Sequence, residues 1–98
     1  MRKIFVRCGN SSRAPSTDWE TIELPAFLSA SDILESLKIV KEKILEKNDD
    51  VQLLIAGPIV LGVALGQVLE HIPIKIEYVQ LNQKTKRFEV WWDNTRHI

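Results

Sequence analysis

From Leu53 to Gly66 the chain carries no charged residue, and Gly57-Pro58 interrupts this run near its start. An apolar run can be a membrane span, a buried strand or a buried helix. The Gly-Pro break leaves it short of the ~20 consecutive apolar residues that cross a bilayer. What remains is a strand followed by a helix. Val51-Gln52-Leu53-Leu54-Ile55-Ala56 is almost continuously apolar, which predicts a central strand covered on both faces. Pro58 suits the first position of a helix, where its missing N–H is no loss. The predicted helix, about Ile59 to His71, is apolar nearly all round, so it is expected to be largely buried. Gly62 and Gly66, four residues apart, leave a smooth strip where another backbone can approach.

The flanking segments fit the same architecture. Lys3-Ile4-Phe5-Val6-Arg7-Cys8 reads as a strand with Ile4, Val6 and Cys8 on one face, ended by Gly9-Asn10. Residues 9–17 have loop chemistry. Trp19-Glu20-Thr21-Ile22-Glu23-Leu24 alternates and stops at Pro25, as a short edge strand does. Ser29-Ala30-Ser31-Asp32 resembles a capping box. Ile33, Leu37, Val40 and Ile44 follow at helical spacing, joined by Leu34 and Leu45, and the helix is predicted to end near Asn48. After Pro73, Ile74-Lys75-Ile76-Glu77-Tyr78 alternates. A polar turn at 82–86 then leads to a return strand through Phe88-Glu89-Val90-Trp91-Trp92. Strands alternating with helices imply right-handed crossovers. The fold class is therefore α/β: one domain over 1–98, a minimal Rossmann-like, mostly parallel sheet with two main helices and a C-terminal β-hairpin.

Composition narrows the function classes. Thirteen basic and thirteen acidic residues balance, whereas general polyanion binders carry a basic excess, so DNA is not an expected partner. Neutrality also favours self-association. The one cysteine, Cys8, allows neither an internal disulfide framework nor a multi-cysteine zinc site. His71 and His97 lack ligand spacing, so no metal is expected, and no cofactor motif is present. Met1-Arg2-Lys3-Ile4 runs into a strand without a signal-peptide core. A cytoplasmic chain with no membrane partner is the expectation.

Ligands of open α/β sheets bind beyond the carboxyl ends of the parallel strands. Two loops leave such ends here: Asn10, Ser11, Ser12 and Arg13 after the first strand, and Gly57 with Pro58 before the apolar helix. The first offers hydroxyl, amide and guanidinium groups, and the second a helix N-terminus that favours anions. Together they suit a phosphorylated nucleotide, although a Gly-Asn-Ser-Ser loop is more often only a loop. Neither a Walker A motif nor a complete G-x-G-x-x-G is present. Cys8, on an inward face, reads as a core thiol rather than a nucleophile. Glu20/Glu23 and Asp49/Asp50 read as solvated acids, so no catalytic residue is assigned. Trp91 and Trp92 must point to opposite faces of their strand, one of them into the core.

The stretch from Leu53 to Gly66, followed by Ile74-Lys75-Ile76-Glu77-Tyr78 and a polar hairpin, resembles the closing half of CRISPR-associated Rossmann-fold proteins. These are the CARF and SAVED sensors of cyclic oligoadenylate and the related small stand-alone ring nucleases. Arg87-Phe88-Glu89-Val90 and Asn94-Thr95-Arg96 add to the likeness, which covers about Val51 to Arg96; the first half agrees only in layout. The resemblance implies a homodimer that binds a cyclic oligoadenylate, cyclic tetra-adenylate favoured, across its two-fold axis in type III CRISPR antiviral signalling. Asn10, Ser11, Ser12, Arg13, Gly57 and Pro58 would face it. The ring nucleases cleave without metal, by holding a ribose 2′-hydroxyl in line with the adjacent phosphate. Here Gly57 to Gln67 holds no basic residue, a departure that bears on cleavage more than on binding. Arg13 is the one nearby cation unless Arg96 swings in. The alternative is a non-enzymatic interaction module using the apolar helix and the tryptophan hairpin. A metabolic enzyme ranks last, for want of an acid–base constellation.

Overall fold

A computed structural model of the chain describes residues 1–9, 13–26 and 29–96. Among these, the elements follow the order β1 (Arg2–Cys8), β2 (Glu20–Leu24), α1 (Ala30–Leu45), β3 (Val51–Ala56), α2 (Ile59–Val68), β4 (Ile76–Asn82) and β5 (Arg87–Asp93). The sheet order is β2-β1-β3-β4-β5. The first four strands are parallel, and β5 returns antiparallel to β4. This is the α/β architecture with a mostly parallel sheet, two helices and a closing hairpin.

Strand order fixes where the helices lie. The connections through α1 and α2 both step toward β5, whereas the β1-to-β2 loop steps the other way. Right-handed crossovers therefore place both helices on one face and that loop on the other. The core agrees: Ile4, Val6, Ile22, Leu24, Val51, Leu53 and Ile76 meet Leu37, Val40 and Ile44 of α1 and Leu61 and Leu65 of α2. Trp19, near the end of the loop, lines a cavity of about 230 Å³ over the opposite face with Lys3, Gln52, Val79 and Phe88. The central strand β3 is thus covered by helices on one side only. Leu54 stays half-buried on the other, contrary to the two-sided cover that its apolar run predicts.

α1 matches its sequence closely. Asp32 Oδ2 accepts from the Ser29 N–H at 3.3 Å and from Ser29 Oγ at 2.8 Å, fixing the first turn. Leu37, Val40 and Ile44 are buried, while Leu34 and Leu45 face solvent, so the apolar stripe is narrower than expected. At its other end, the buried Arg2 guanidinium donates to the Lys43 and Ile44 carbonyls, at 3.1 and 3.0 Å. Those carbonyls belong to the last turn, where a helix leaves acceptors unpaired and favours cations. Arg2 also grips Glu20 through two bonds of 2.9 and 3.0 Å. Hydrogen bonding to Arg2 lowers the Glu20 pKa despite its partial burial, and the same bond raises that of Arg2. Glu20 is therefore a structural ion-pair partner and not a solvated acid. Asp50 likewise accepts the Lys75 N–H at 3.0 Å.

The C-terminal half departs further from expectation. β4 begins at Ile76, two residues later than the alternation predicts, and runs on to Asn82. The register jumps from Tyr78↔Trp92 to Val79↔Val90, leaving Trp91 as the extra residue of a bulge. Neither tryptophan enters the core: Trp91 is 57% and Trp92 42% exposed. In the hairpin loop, Asn82 Oδ1 accepts the Lys84 and Thr85 N–H groups, and Lys86 takes a left-handed φ of 58°. Asn94 fastens the far end. Its Nδ2 donates to the Leu69 and Ile74 carbonyls at 3.0 and 2.9 Å, and its Oδ1 accepts the Ile76 N–H at 2.8 Å.

Candidate functional site

The candidate site is the carboxyl edge of β1 and β3. These strands pair in parallel as far as Arg7↔Ala56, so their carboxyl ends lie side by side. Contact between the two departures is close, because a Cβ on Gly57 would stand 2.8 Å from Cys8 Sγ. A side chain at position 57 would therefore displace the Cys8 thiol. Gly9, at φ +76°, occupies the left-handed region that disfavours side chains and turns the chain out of β1. Its N–H donates to the Leu24 carbonyl at 3.0 Å, tying the start of the loop to the end of β2.

Of the residues expected here, Asn10, Ser11 and Ser12 lie outside the described residues. Arg13 is exposed, and no described residue pairs with it. Gly57 and Pro58 are exposed at the mouth of α2. Pro58 is the N-cap and not the first helical residue, with an extended ψ of 147°, and its carbonyl accepts the Leu61 N–H at 3.0 Å. The next residues are apolar and face water, Ile59 at 85% and Val60 at 63% exposure. Cys8 is half-buried against the core, and burial raises its thiol pKa. That disfavours the thiolate a nucleophile needs.

Arg96 does not reach this edge. Its guanidinium carbon lies 5.7 Å from the centre of the Trp92 ring, and its Nε is 3.4 Å from Asp93. Asp93 and Asn94 are anchored at the amino end of β4, the opposite end of the sheet. Arg96 therefore drops out as a second cation for the candidate site.

α2 also overturns an expectation. Only Leu61 and Leu65 within it are buried; Val63 is 60% exposed, and nothing stands within 4 Å of a Cβ built on Gly62 or Gly66. The helix lies over the sheet with one side, and its remaining apolar surface is open. Beside it, Val63, Gly66, Gln67, Glu70, Tyr78 and Trp92 line a groove of about 270 Å³. The Tyr78 hydroxyl is buried there without a hydrogen-bond partner among the described residues, and burial, then the charge of Glu70, raises its pKa. Sequence reasoning missed Arg2, Tyr78 and Asn94. Arg2 and Glu20 did carry a signal, since each has the inward parity of the apolar residues on its strand.

The fold and this edge define a two-layer α/β protein in which the carboxyl ends of two neighbouring parallel strands adjoin. No protein-family model, curated protein or solved structure matches the chain. Among the described residues, no helix is long and apolar enough to cross a membrane.

Proposed function

We propose that two copies of this protein bind a cyclic oligoadenylate, cyclic tetra-adenylate by preference, between the carboxyl edges of their parallel strands. The observation that supports this reading is the close approach of Cys8, at the end of β1, to Gly57, just before the N-terminus of α2. A ligand there meets Arg13 from one loop and the unpaired N–H groups of the first turn of α2 from the other. The exposed Ile59 and Val60 adjoin the same edge and offer apolar surface to the second copy. Resemblance to the cyclic-oligoadenylate sensors and ring nucleases supplies the ligand's identity. Binding is the core of the proposal. Cleavage would have to proceed without a basic residue between Gly57 and Gln67.

The test is incubation with cyclic tetra- and hexa-adenylate in EDTA, with chromatography of the products and a thermal-shift scan. A stabilising shift that a Ser11→Ala, Arg13→Ala variant abolishes supports the site. Linear products would add ring-nuclease activity. No shift at ligand concentrations well above micromolar overturns the proposal. The exposed apolar side of α2, with Trp91 and Trp92, favours the second reading, a module that docks a protein partner. That reading requires nucleotides to leave the protein unchanged while substitutions at Trp91 or Trp92 alter its assembly state.

A further inference from the structure

The two edges of the sheet are built differently. β2 is five residues long, carries Glu20 and Glu23, and is followed at once by Pro25. Short length, charge and proline all discourage pairing with another strand. β5 has seven residues, none of them proline or glycine, and its exposed side chains include Phe88, Val90, Trp91 and Trp92. Its outer row of backbone N–H and C=O groups has no strand beside it among the described residues. Such an edge is a template for a further strand.

We infer that the occupant is a second copy of this chain, pairing β5 against β5 in antiparallel fashion with Phe88 on the two-fold axis. The charges of the strand select this register. The Trp91 bulge confines regular pairing to Arg87–Val90. Centring the axis on Glu89 would set two carboxylates face to face, which disfavours pairing. Centring it between residues would set Phe88 against Glu89. Centring it on Phe88 sets Arg87 opposite Glu89 of the second copy, and Glu89 opposite its Arg87.

Both groups are available. The Arg87 side chain has no hydrogen bond or ion pair with any described residue. Glu89 Oε1 accepts from Asn82 Nδ2 and Trp91 Nε1, each at 3.1 Å. These bonds hold the carboxylate in place, and its second oxygen has no partner among the described residues. The result is a continuous ten-stranded sheet, from two five-stranded halves, with all four helices on one face. Antiparallel pairing points the two carboxyl edges in opposite directions. This contact is therefore separate from one that shares a ligand, and it does not depend on the ligand proposal.

The experiment is sedimentation equilibrium of the ligand-free chain at micromolar concentrations, with circular dichroism confirming that each variant is folded. The wild type is expected to dimerise. Arg87→Glu, which places two acids opposite each other, is expected to weaken the dimer by about tenfold or more. The Arg87→Glu, Glu89→Arg double variant is expected to restore it. Phe88→Cys is expected to give a disulfide-linked dimer on oxidation and Glu89→Cys not, because directly opposed Cα atoms lie within disulfide reach. A monomeric wild type, a dimer indifferent to Arg87→Glu, or a double variant no better than the single one overturns the inference. Loss of nucleotide binding in the Ser11→Ala, Arg13→Ala variant with this dimer intact would separate the two proposals.

Discussion

α1 and α2 pack side by side on one face, yet they solve opposite problems. α1 turns the stripe of Leu37, Val40 and Ile44 to the sheet and most of its charged residues to water, with Leu34, Ile39 and Leu45 exposed among them. α2 gives two of its ten residues wholly to the core and leaves Ile59, Val60 and Val63 exposed. Its mean composition is that of a buried helix in a position that buries half of one. A surplus of apolar surface has no use within a single copy, where it adds only a tendency to associate. The contrast teaches that the spacing of apolar residues reports what a helix's own sheet covers, whereas apolar content alone does not.

The comparison can be broken most severely from inside. Ile44→Ala in α1 and Leu65→Ala in α2, both fully buried, should each cost about 2–5 kcal/mol by urea denaturation. A much smaller loss at Leu65 would mean that α2 is not seated on the sheet. Arg2→Ala removes the clamp on the end of α1 and should cost about 2–3 kcal/mol in the same assay. The clamp also predicts the acid response. Because the folded pKa of Glu20 is lowered, its stabilisation is present above the unfolded value of about 4.3 and fades as pH falls through the folded pKa. Glu20→Gln should therefore be less stable near neutrality and lose less on acidification, as thermal melts at several pH values would reveal.

Smaller effects sharpen the outer face. Gly62→Ala should stabilise the isolated chain by about 0.5–1 kcal/mol, since alanine favours helix and its Cβ meets open space. A loss instead would show another backbone against that strip. Ile59→Ser should shift stability by no more than about 0.5 kcal/mol, as at other exposed positions; a larger loss in denaturation would mean that this side is covered in solution.

The legible parts of the chain were those whose signal is local. The stripe of Leu37, Val40 and Ile44 and the Ser29–Asp32 turn are written in consecutive residues, and α1 followed from them. The Gly57-Pro58 boundary did too. α2 was legible as a helix and illegible in orientation, because when every side is apolar no spacing tells which one is down. Trp91 and Trp92 misled for a related reason: a bulge inserts one residue without a compositional mark, so strict alternation put one ring in the core. The pairing of Arg2 with Glu20 depends on two strands lying adjacent in register, which parity alone does not supply. At the candidate site, Gly57 and Pro58 were visible as a junction. Their meeting with the end of β1 followed only from the strand order.

The Asn94 bracket has a consequence for how the chain is made. Three backbone groups at the start of β4 and the end of α2 wait for one side chain that follows β5. During synthesis from the N-terminus, the β1-to-α1 half can assemble while the hairpin is still unmade. The α2–β4 junction, by contrast, keeps its polar groups open until Asn94 arrives, so it closes only after the whole β4–β5 hairpin has been made.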